Sequence, residues 1–382
     1  MLYLKKSELD NIKNKKDSEN NYNNYNMQYS IKYLNSSYTE NNIKNSFKEG
    51  GLNYNKEIGE INNGNDYEKT DKNIYDLFIP YSAIQRKEQN NYLILYIHSG
   101  GWRGGSKEEG TILCDLFTAR GYIFASMGYT LLIEKYKEYG ANIFRIHDEI
   151  TSCIQSIKNI LKIEGFDIKK LEMAISGSSA GGHLSLLYGY SMKEPPIPIK
   201  FIIDFAGPVS LDPELFIHIK NSNEPIKNLD IYDLEIAKNN NMTETIQEDE
   251  KTILIYMNSF YGNKFSNEEL DKMLLENKRI NKNNENYKKM IETIEFGYPT
   301  HYVKSESIPA ICVYGGKDEV IGIGHFPYLK SLNEEYSKKI YLYYSKYGPH
   351  NVFQLNNEVN KDLLKELFIQ VNNFSKLYFT AF

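Results

Sequence analysis

The run Gly-Ser-Ser-Ala-Gly at residues 177–181 lies between an apolar segment, 172–176, and a helical one, 180–192. A Gly-x-Ser-x-Gly turn between a strand and a helix is so tight that the residues flanking the serine must be very small. The turn holds the serine out at the carboxyl edge of the sheet, where the N-terminus of the next helix favours developing negative charge. We therefore predict that Ser179 is a nucleophile.

A second candidate element, His-Ser-Gly-Gly-Trp at residues 98–102, directly follows an apolar run. A serine that attacks a carbonyl carbon creates an oxyanion, and that charge needs preorganised N–H donors. Glycines let a loop turn its N–H groups inward without side chains in the way. We predict that the donors are the amides of Gly100, Gly101 and Ala180. Trp102 is a candidate for lining the acyl pocket, and packing of the loop is the alternative.

Two downstream loops supply an acid and a base in the order that this topology requires. The apolar run 310–314 leads into Gly-Gly-Lys-Asp, which ends at Asp318, and the run 340–344 leads into Tyr-Gly-Pro-His, which ends at His350. We predict that Asp318 orients the imidazole of His350. His350 then takes the proton of the serine and delivers it to the leaving group.

The other histidines fit the base position less well. His325 follows the acid closely and is predicted to begin a helix, and His301 precedes the acid. We interpret His98 and His183 as residues that fix loops around the site by hydrogen bonds. No His-Glu-x-x-His spacing or cysteine pair occurs, so no metal site is expected.

A rival interpretation of the glycine-rich loop is a phosphate-binding loop. Residues 100–107 nearly match Gly-x4-Gly-Lys-[Ser/Thr], but the final order is Ser-Lys, which misplaces the lysine. We interpret Ser106 instead as a helix N-cap, with Glu109 three residues later.

Strands and helices alternate along most of the chain, which predicts an α/β fold with a mostly parallel sheet covered by helices on both faces. The predicted strands are 73–80, 93–97, 122–126, 172–176, 201–205, 310–314 and 340–344, and the predicted helices include 142–161, 180–192 and 360–377.

The domain organisation has three parts. Residues 1–70 are polar, and we interpret them as an extension or partial cap. We predict that residues 71–382 form the α/β domain. Within that domain, 213–296 has many charges and no clear strand, and we interpret it as a helical cap insertion. A capping box is predicted at Ser266 and Glu269.

Composition narrows the classes of partner. The 382 residues carry a net charge of −5 and are 41% hydrophobic, which favours a small-molecule partner over nucleic acid. No apolar run approaches the length of a membrane span or a signal peptide. We therefore expect a cytoplasmic protein without a membrane span.

The residues at four places together resemble the α/β-hydrolases of the esterase/lipase group. That group includes hormone-sensitive-lipase-like carboxylesterases and kynurenine-formamidase-like enzymes. The matching runs lie at 95–102, 176–184, 314–318 and 348–351. The resemblance covers about residues 73–375 and implies an eight-stranded, mostly parallel sheet, a Ser-Asp-His triad and no cofactor. Ser99 departs from the His-Gly-Gly-Gly that is usual in the group.

The function expected from the residues and this resemblance is hydrolysis of a small-molecule carboxylic ester with a small or medium acyl chain, through an acyl-enzyme on Ser179. An amidase or formamidase with the same triad is the first alternative. A catalytically silent binding protein with the hydrolase fold is the second.

Overall fold

A computed structural model describes residues 72–118, 120–219, 243–245, 250–345, 348–351 and 358–380. The strands in this part of the chain are β1 Tyr75–Phe78, β2 Asn91–Ile97, β3 Ile123–Met127, β4 Leu171–Ser178, β5 Ile199–Phe205, β6 Ile217–Ile219, β7 Thr243–Thr245, β8 Ala310–Gly315 and β9 Ile340–Ser345. Seven of them form one sheet in the order β1-β3-β2-β4-β5-β8-β9. β1 pairs antiparallel with β3, and the other pairs are parallel.

The helices cover both faces of this sheet. They are α1 Tyr81–Ile84, α2 Thr111–Thr118, α3 Ile143–Ile163, α4 Ala180–Ser191, α5 Lys251–Phe260, α6 Asn267–Asp271, α7 Glu285–Ile294, α8 His325–Leu332 and α9 Glu358–Tyr378. α3, α4 and α5 contribute to the core on one face, and α2 and α9 to the core on the other. No helix in these ranges is both long and apolar enough to cross a membrane.

The apolar strand β2 shows why the sheet is covered on both sides. Its seven residues are all buried. Successive side chains of a strand point to opposite faces. Leu93, Leu95 and Ile97 accordingly join one core, whereas Ile94 and Tyr96 join the other. A strand that is covered on both faces, as β2 is, therefore requires an uninterrupted run of apolar residues.

The predicted α/β fold is confirmed, and the predicted strands and helices lie within a few residues of the observed ones. The resemblance implies eight strands, whereas the main sheet of the described residues has seven. The segment 1–70 lies outside the described residues.

The 213–296 segment corrects one expectation. No strand was expected there, but β6 and β7 pair antiparallel in a small separate sheet. With three residues each, these strands are too short to give a period in the sequence. The capping box is confirmed. Ser266 Oγ accepts a hydrogen bond from the amide of Glu269 at 3.3 Å, and the Glu269 carboxylate accepts one from the amide of Ser266 at 2.8 Å.

A buried ion pair in α3 fixes the loop after β3. Arg145 and Glu149 are almost fully buried, and Arg145 Nε donates to Glu149 Oε1 at 2.7 Å. The same carboxylate accepts from the amide of Thr130 at 2.8 Å and from its hydroxyl at 2.5 Å. Two residues later, the amide of Leu132 donates to the carbonyl of Trp102 at 2.8 Å. Glu149 thereby links helix α3 to the loop that carries Trp102.

We expect Glu149→Ala to lower the free energy of unfolding by about 3–5 kcal/mol, because it removes the carboxylate from a buried guanidinium. Urea unfolding measures this difference. The matched control is Glu285→Ala, which removes an exposed partner of Lys288 and should change stability by less than about 1 kcal/mol. Equal effects of the two substitutions would contradict the role assigned to Glu149.

Candidate active site

Ser179 lies at the turn between β4 and α4, as the sequence predicts. Its backbone has φ 52° and ψ −118°, which is strained for a residue with a side chain. Such a conformation persists only where the surroundings enforce it. Here the amide of Ser179 donates to the carbonyl of Phe205 in β5 at 2.7 Å. The side chain stands at the N-terminus of α4 and remains 8% exposed.

The flanking glycines are required by backbone contacts. A Cβ on Gly177 would collide with the backbone of Gly181, and a Cβ on Gly181 would collide with the carbonyls of Ile97 and His98. The turn that carries Ser179 is therefore pressed directly onto the start of the glycine-rich loop at residues 98–102. The two elements predicted to act together are neighbours in the fold.

Glu109 holds the glycine-rich loop at the position where it departs from the usual family sequence. Its carboxylate accepts from the Ser99 amide at 3.1 Å, from the Ser99 hydroxyl at 2.5 Å and from the Tyr96 hydroxyl at 2.6 Å. The prediction that Glu109 completes a cap with Ser106 is thus wrong. Ser106 does precede a 3-10 turn, Lys107–Gly110, but the carboxylate turns to Ser99 because that residue offers it two donors.

The amides predicted as oxyanion donors are unpaired in the part of the chain that the structure describes. The amides of Gly100, Gly101 and Ala180 donate to no acceptor there, whereas the amide of Gly104 donates to the carbonyl of Gly100 at 2.9 Å. Gly100 and Gly101 have φ of 108° and 58°, values that glycine adopts without strain. The arrangement leaves N–H groups available on both the loop and the turn. Their role as oxyanion donors stays a prediction.

The predicted acid and base are in contact. His350 Nδ1 lies 2.7 Å from Asp318 Oδ2. Asp318 is 2% exposed, and its Oδ1 accepts from the amides of Val320 at 2.9 Å and Ile321 at 3.0 Å. Three hydrogen bonds thus hold the buried carboxylate, and they give the side chain one fixed orientation toward the imidazole.

Backbone contacts between the loops after β8 and β9 bring this pair together. The amide of Gly316 donates to the carbonyl of Ser345 at 2.8 Å, and the amide of Lys317 donates to the carbonyl of Gly348 at 3.0 Å. A Cβ on Gly315 would collide with the backbone of Gly348. No hydrogen bond joins Ser179 to His350 among the described residues. Such contacts are often long before substrate binds, so the complete triad stays a prediction.

The other histidines of the site have structural partners, as expected. His183 Nδ1 accepts from the indole N–H of Trp102 at 3.2 Å, and its Nε2 lies 2.8 Å from the carbonyl of Gly297. His98 stacks on Tyr129 with ring centroids 4.1 Å apart. Burial lowers the pKa of His183 to about 3 and that of His98 to about 4, so both rings are neutral near pH 7.

His325 begins helix α8, as predicted. It is fully buried, and its Nδ1 accepts from the amide of Val209 at 3.2 Å. Burial lowers its pKa to about 3. A neutral ring committed to a backbone amide is a structural element rather than a general base.

Trp102 packs within the protein. It is 3% exposed and meets Phe260 and Tyr256 of α5 edge to face, with centroid distances of 4.8 and 5.6 Å. Its indole N–H is taken by His183. These contacts favour the loop-packing alternative. Its acyl-pocket role stays a prediction.

Asp204 is a part of the site that the sequence analysis missed. It lies in β5, in register with Gly177 of β4, and it is fully buried. Its Oδ1 accepts from the amide of Gly207 at 2.8 Å, which fixes the turn after Phe205, the residue whose carbonyl holds Ser179. Burial raises the pKa of Asp204 to about 7. The signal available in the sequence was an acidic residue within the otherwise apolar run 201–205.

This raised pKa predicts a pH dependence of stability. An unfolded Asp loses its proton near pH 4, whereas folded Asp204 keeps it up to about pH 7. Unfolding in this window therefore releases a proton, and the stability contributed by the protonated acid declines as pH rises from about 4 to about 7, by roughly 4 kcal/mol. Asp204→Asn keeps an acceptor for Gly207 but cannot titrate, so its stability should lack this decline.

Urea unfolding of the wild type and of Asp204→Asn across this pH range measures the difference. Asp271→Asn, which changes an exposed carboxylate in α6, is the control and should follow the wild type. Parallel curves for Asp204→Asn and the wild type would show that Asp204 is ionised in the folded protein.

Comparisons with known proteins agree with this architecture. The BD-FAE family model matches residues 76–332, which is about two thirds of the chain. The match includes Ser179 and Asp318 and ends before His350. A comparison with curated protein sequences found no significant match.

Several solved esterase structures share the fold at low sequence identity. A truncated carbohydrate esterase from gut microbiota is 14% identical, with a TM-score of 0.51 over 79% of this chain and 92% of that one. Esterase 2 of Thermogutta terrifontis, phosphoramylated by tabun, is 15% identical, with a TM-score of 0.51 over 82% and 94%. Esterase B of Lactobacillus rhamnosis is 14% identical, with a TM-score of 0.51 over 81% and 84%.

At these sequence identities, the similarity to solved structures shows the fold of this chain. The match to the family model shows its family. The model spans both the strand that leads into Ser179 and the loop that carries Asp318. The chain therefore belongs to the BD-FAE family and has the α/β-hydrolase fold.

Proposed function

We propose that this chain is a serine hydrolase that cleaves carboxylic esters of small or medium acyl chains through an acyl-enzyme on Ser179. The observation that carries the proposal is the backbone of Ser179, held at φ 52° by the carbonyl of Phe205. A strained serine at a helix N-terminus has no structural purpose that glycine would not serve better. The strained position nevertheless carries a serine, which indicates that the hydroxyl itself is needed there.

In acylation, Ser179 Oγ attacks the ester carbonyl while His350 Nε2 accepts its proton. Asp318 supports this step because an ionised carboxylate only accepts hydrogen bonds, so the proton shared with His350 lies on Nδ1. Nε2 is then the basic nitrogen. The imidazolium that forms is stabilised by the same carboxylate.

The negative charge on the carbonyl oxygen is received by the unpaired amides of Gly100, Gly101 and Ala180. The N-terminus of α4 adds a favourable dipole. Collapse of the tetrahedral intermediate expels the alcohol, which takes the proton from His350. Water then attacks the acyl-enzyme while His350 accepts a proton from it. As the bond to Ser179 Oγ breaks, His350 returns this proton to Oγ, and the carboxylic acid and free Ser179 are released.

Ester substrates are favoured over amides because the structural relatives reported above are esterases. We propose that the 213–296 segment is a cap that sets the size of the substrate. Its helix α5 lies against the glycine-rich loop through Tyr256 and Gly101. We further propose that substrates are small molecules, since a cap that approaches the loop this closely restricts the space above the serine.

Ser179→Ala tests the nucleophile. We expect a loss of at least about 10³-fold in kcat for p-nitrophenyl butyrate and no labelling by a fluorophosphonate probe, because no other group forms the acyl-enzyme. Ser331→Ala, an exposed serine of α8, is the control and should keep full activity. Retention of esterase activity by Ser179→Ala would overturn the proposed function.

Asp318→Asn tests the orientation of the acid. The amides of Val320 and Ile321 point at Oδ1, so an asparagine places its oxygen there and its NH2 toward His350. That NH2 requires an unprotonated Nδ1, which moves the proton to Nε2 and blocks the base. We expect kcat to fall by roughly 10⁴-fold with an unchanged thermal midpoint. A decrease below about tenfold would mean that Asp318 does not set the tautomer.

A further inference from the structure

Helix α5 brings a tyrosine to the oxyanion loop. The ring and hydroxyl of Tyr256 come within 3.3 Å of the position that a Cβ on Gly101 would occupy. The hydroxyl therefore lies beside one of the amides that the proposed function assigns to the oxyanion. The close approach depends on glycine at position 101, because a side chain there would occupy the space next to the phenol.

The position of Tyr256 is fixed by packing and by a hydrogen bond between helix and loop. Its ring meets Trp102 at 5.6 Å with an interplanar angle of 70°. One turn further along α5, Ser259 Oγ accepts from the Arg103 guanidinium at 2.5 Å. Helix α5 is thus attached to the two residues that directly follow the glycine pair, and the phenol is preorganised rather than free to swing.

The Tyr256 hydroxyl has no hydrogen-bond partner among the described residues, and the side chain is only half buried. Other tyrosines around the site use their hydroxyls. Tyr96 donates to Glu109 at 2.6 Å, and Tyr129 donates to the carbonyl of His98 at 3.3 Å. An unused phenol next to an unused backbone amide is an arrangement that can donate twice to one oxygen atom.

We propose that Tyr256 is a catalytic residue whose hydroxyl donates a hydrogen bond to the oxyanion, beside the amide of Gly101. This inference rests on the proposed function. The phenol keeps its proton throughout, and no bond is made or broken at Tyr256. Its hydrogen bond strengthens as charge develops on the carbonyl oxygen, so it stabilises the transition state more than the bound ester.

This role predicts a specific kinetic pattern. Tyr256→Phe keeps the ring against Trp102 and removes only the hydroxyl. We expect kcat for p-nitrophenyl butyrate to fall by roughly 10²-fold with KM nearly unchanged. The rate of labelling by a fluorophosphonate should fall in parallel, because the phosphoryl oxygen would occupy the same position as the oxyanion.

The matched control is Tyr261→Phe. Tyr261 directly follows the last residue of the same helix, but its ring stacks on Phe265, with centroids 5.7 Å apart. Fluorescence of Trp102, the single tryptophan of the sequence, reports whether the packing around Tyr256 is preserved in each variant. Thermal unfolding checks the rest of the fold.

An unchanged kcat in Tyr256→Phe, or a rise in KM alone, would overturn the role in the oxyanion site. Failure of this inference is distinguishable from failure of the proposed function. If Ser179→Ala is inactive while Tyr256→Phe keeps its kcat, only the assignment of Tyr256 fails. If Ser179→Ala stays active, the proposed function fails first.

Discussion

The site depends on a steric contact between two backbones. Gly181 lies against the carbonyls of Ile97 and His98 so closely that no other residue fits there. This contact fixes the distance between the turn that carries Ser179 and the loop with the unpaired amides, before any side chain is considered. The central strands β2 and β4 run parallel and end at the same edge, so their following segments meet there. Neither element could be displaced without moving the other.

Four acidic side chains, three of them buried, then hold the loops in place. Glu109 binds the amide of Ser99, Glu149 binds that of Thr130, Asp204 binds that of Gly207, and Asp318 binds two amides of its own loop. Glu109, Glu149 and Asp204 each tie the backbone of an irregular segment to a neighbouring 3-10 turn, helix or strand, and Asp318 fixes its own loop. Three of them have no part in the proposed chemistry. Such side chains make the loops rigid, and rigid loops keep donors and base in position before substrate arrives.

The sequence predicted the parts of the site that depend on local patterns. The turn at Ser179, the acid at Asp318 and the base at His350 each follow an apolar run, and parallel strands bring their ends together. It missed contacts made across the fold. Glu109 was assigned to a local cap because its distant partner Ser99 could not be seen. Tyr256 lies in a segment whose hydrophobic residues show no strong periodicity. Only its position next to Gly101 in the structure identifies it as a candidate residue of the site.

Burial also simplifies the acid–base chemistry of the molecule. The pKa values of His98, His147, His183 and His325 are lowered to about 3 or 4, which removes four of the seven histidines from titration near neutrality. These rings keep one tautomer and one set of partners between about pH 5 and pH 8, the range in which an ordinary histidine changes charge. In an imidazole nuclear magnetic resonance spectrum the signals of these four rings would therefore stay at constant positions across this pH range.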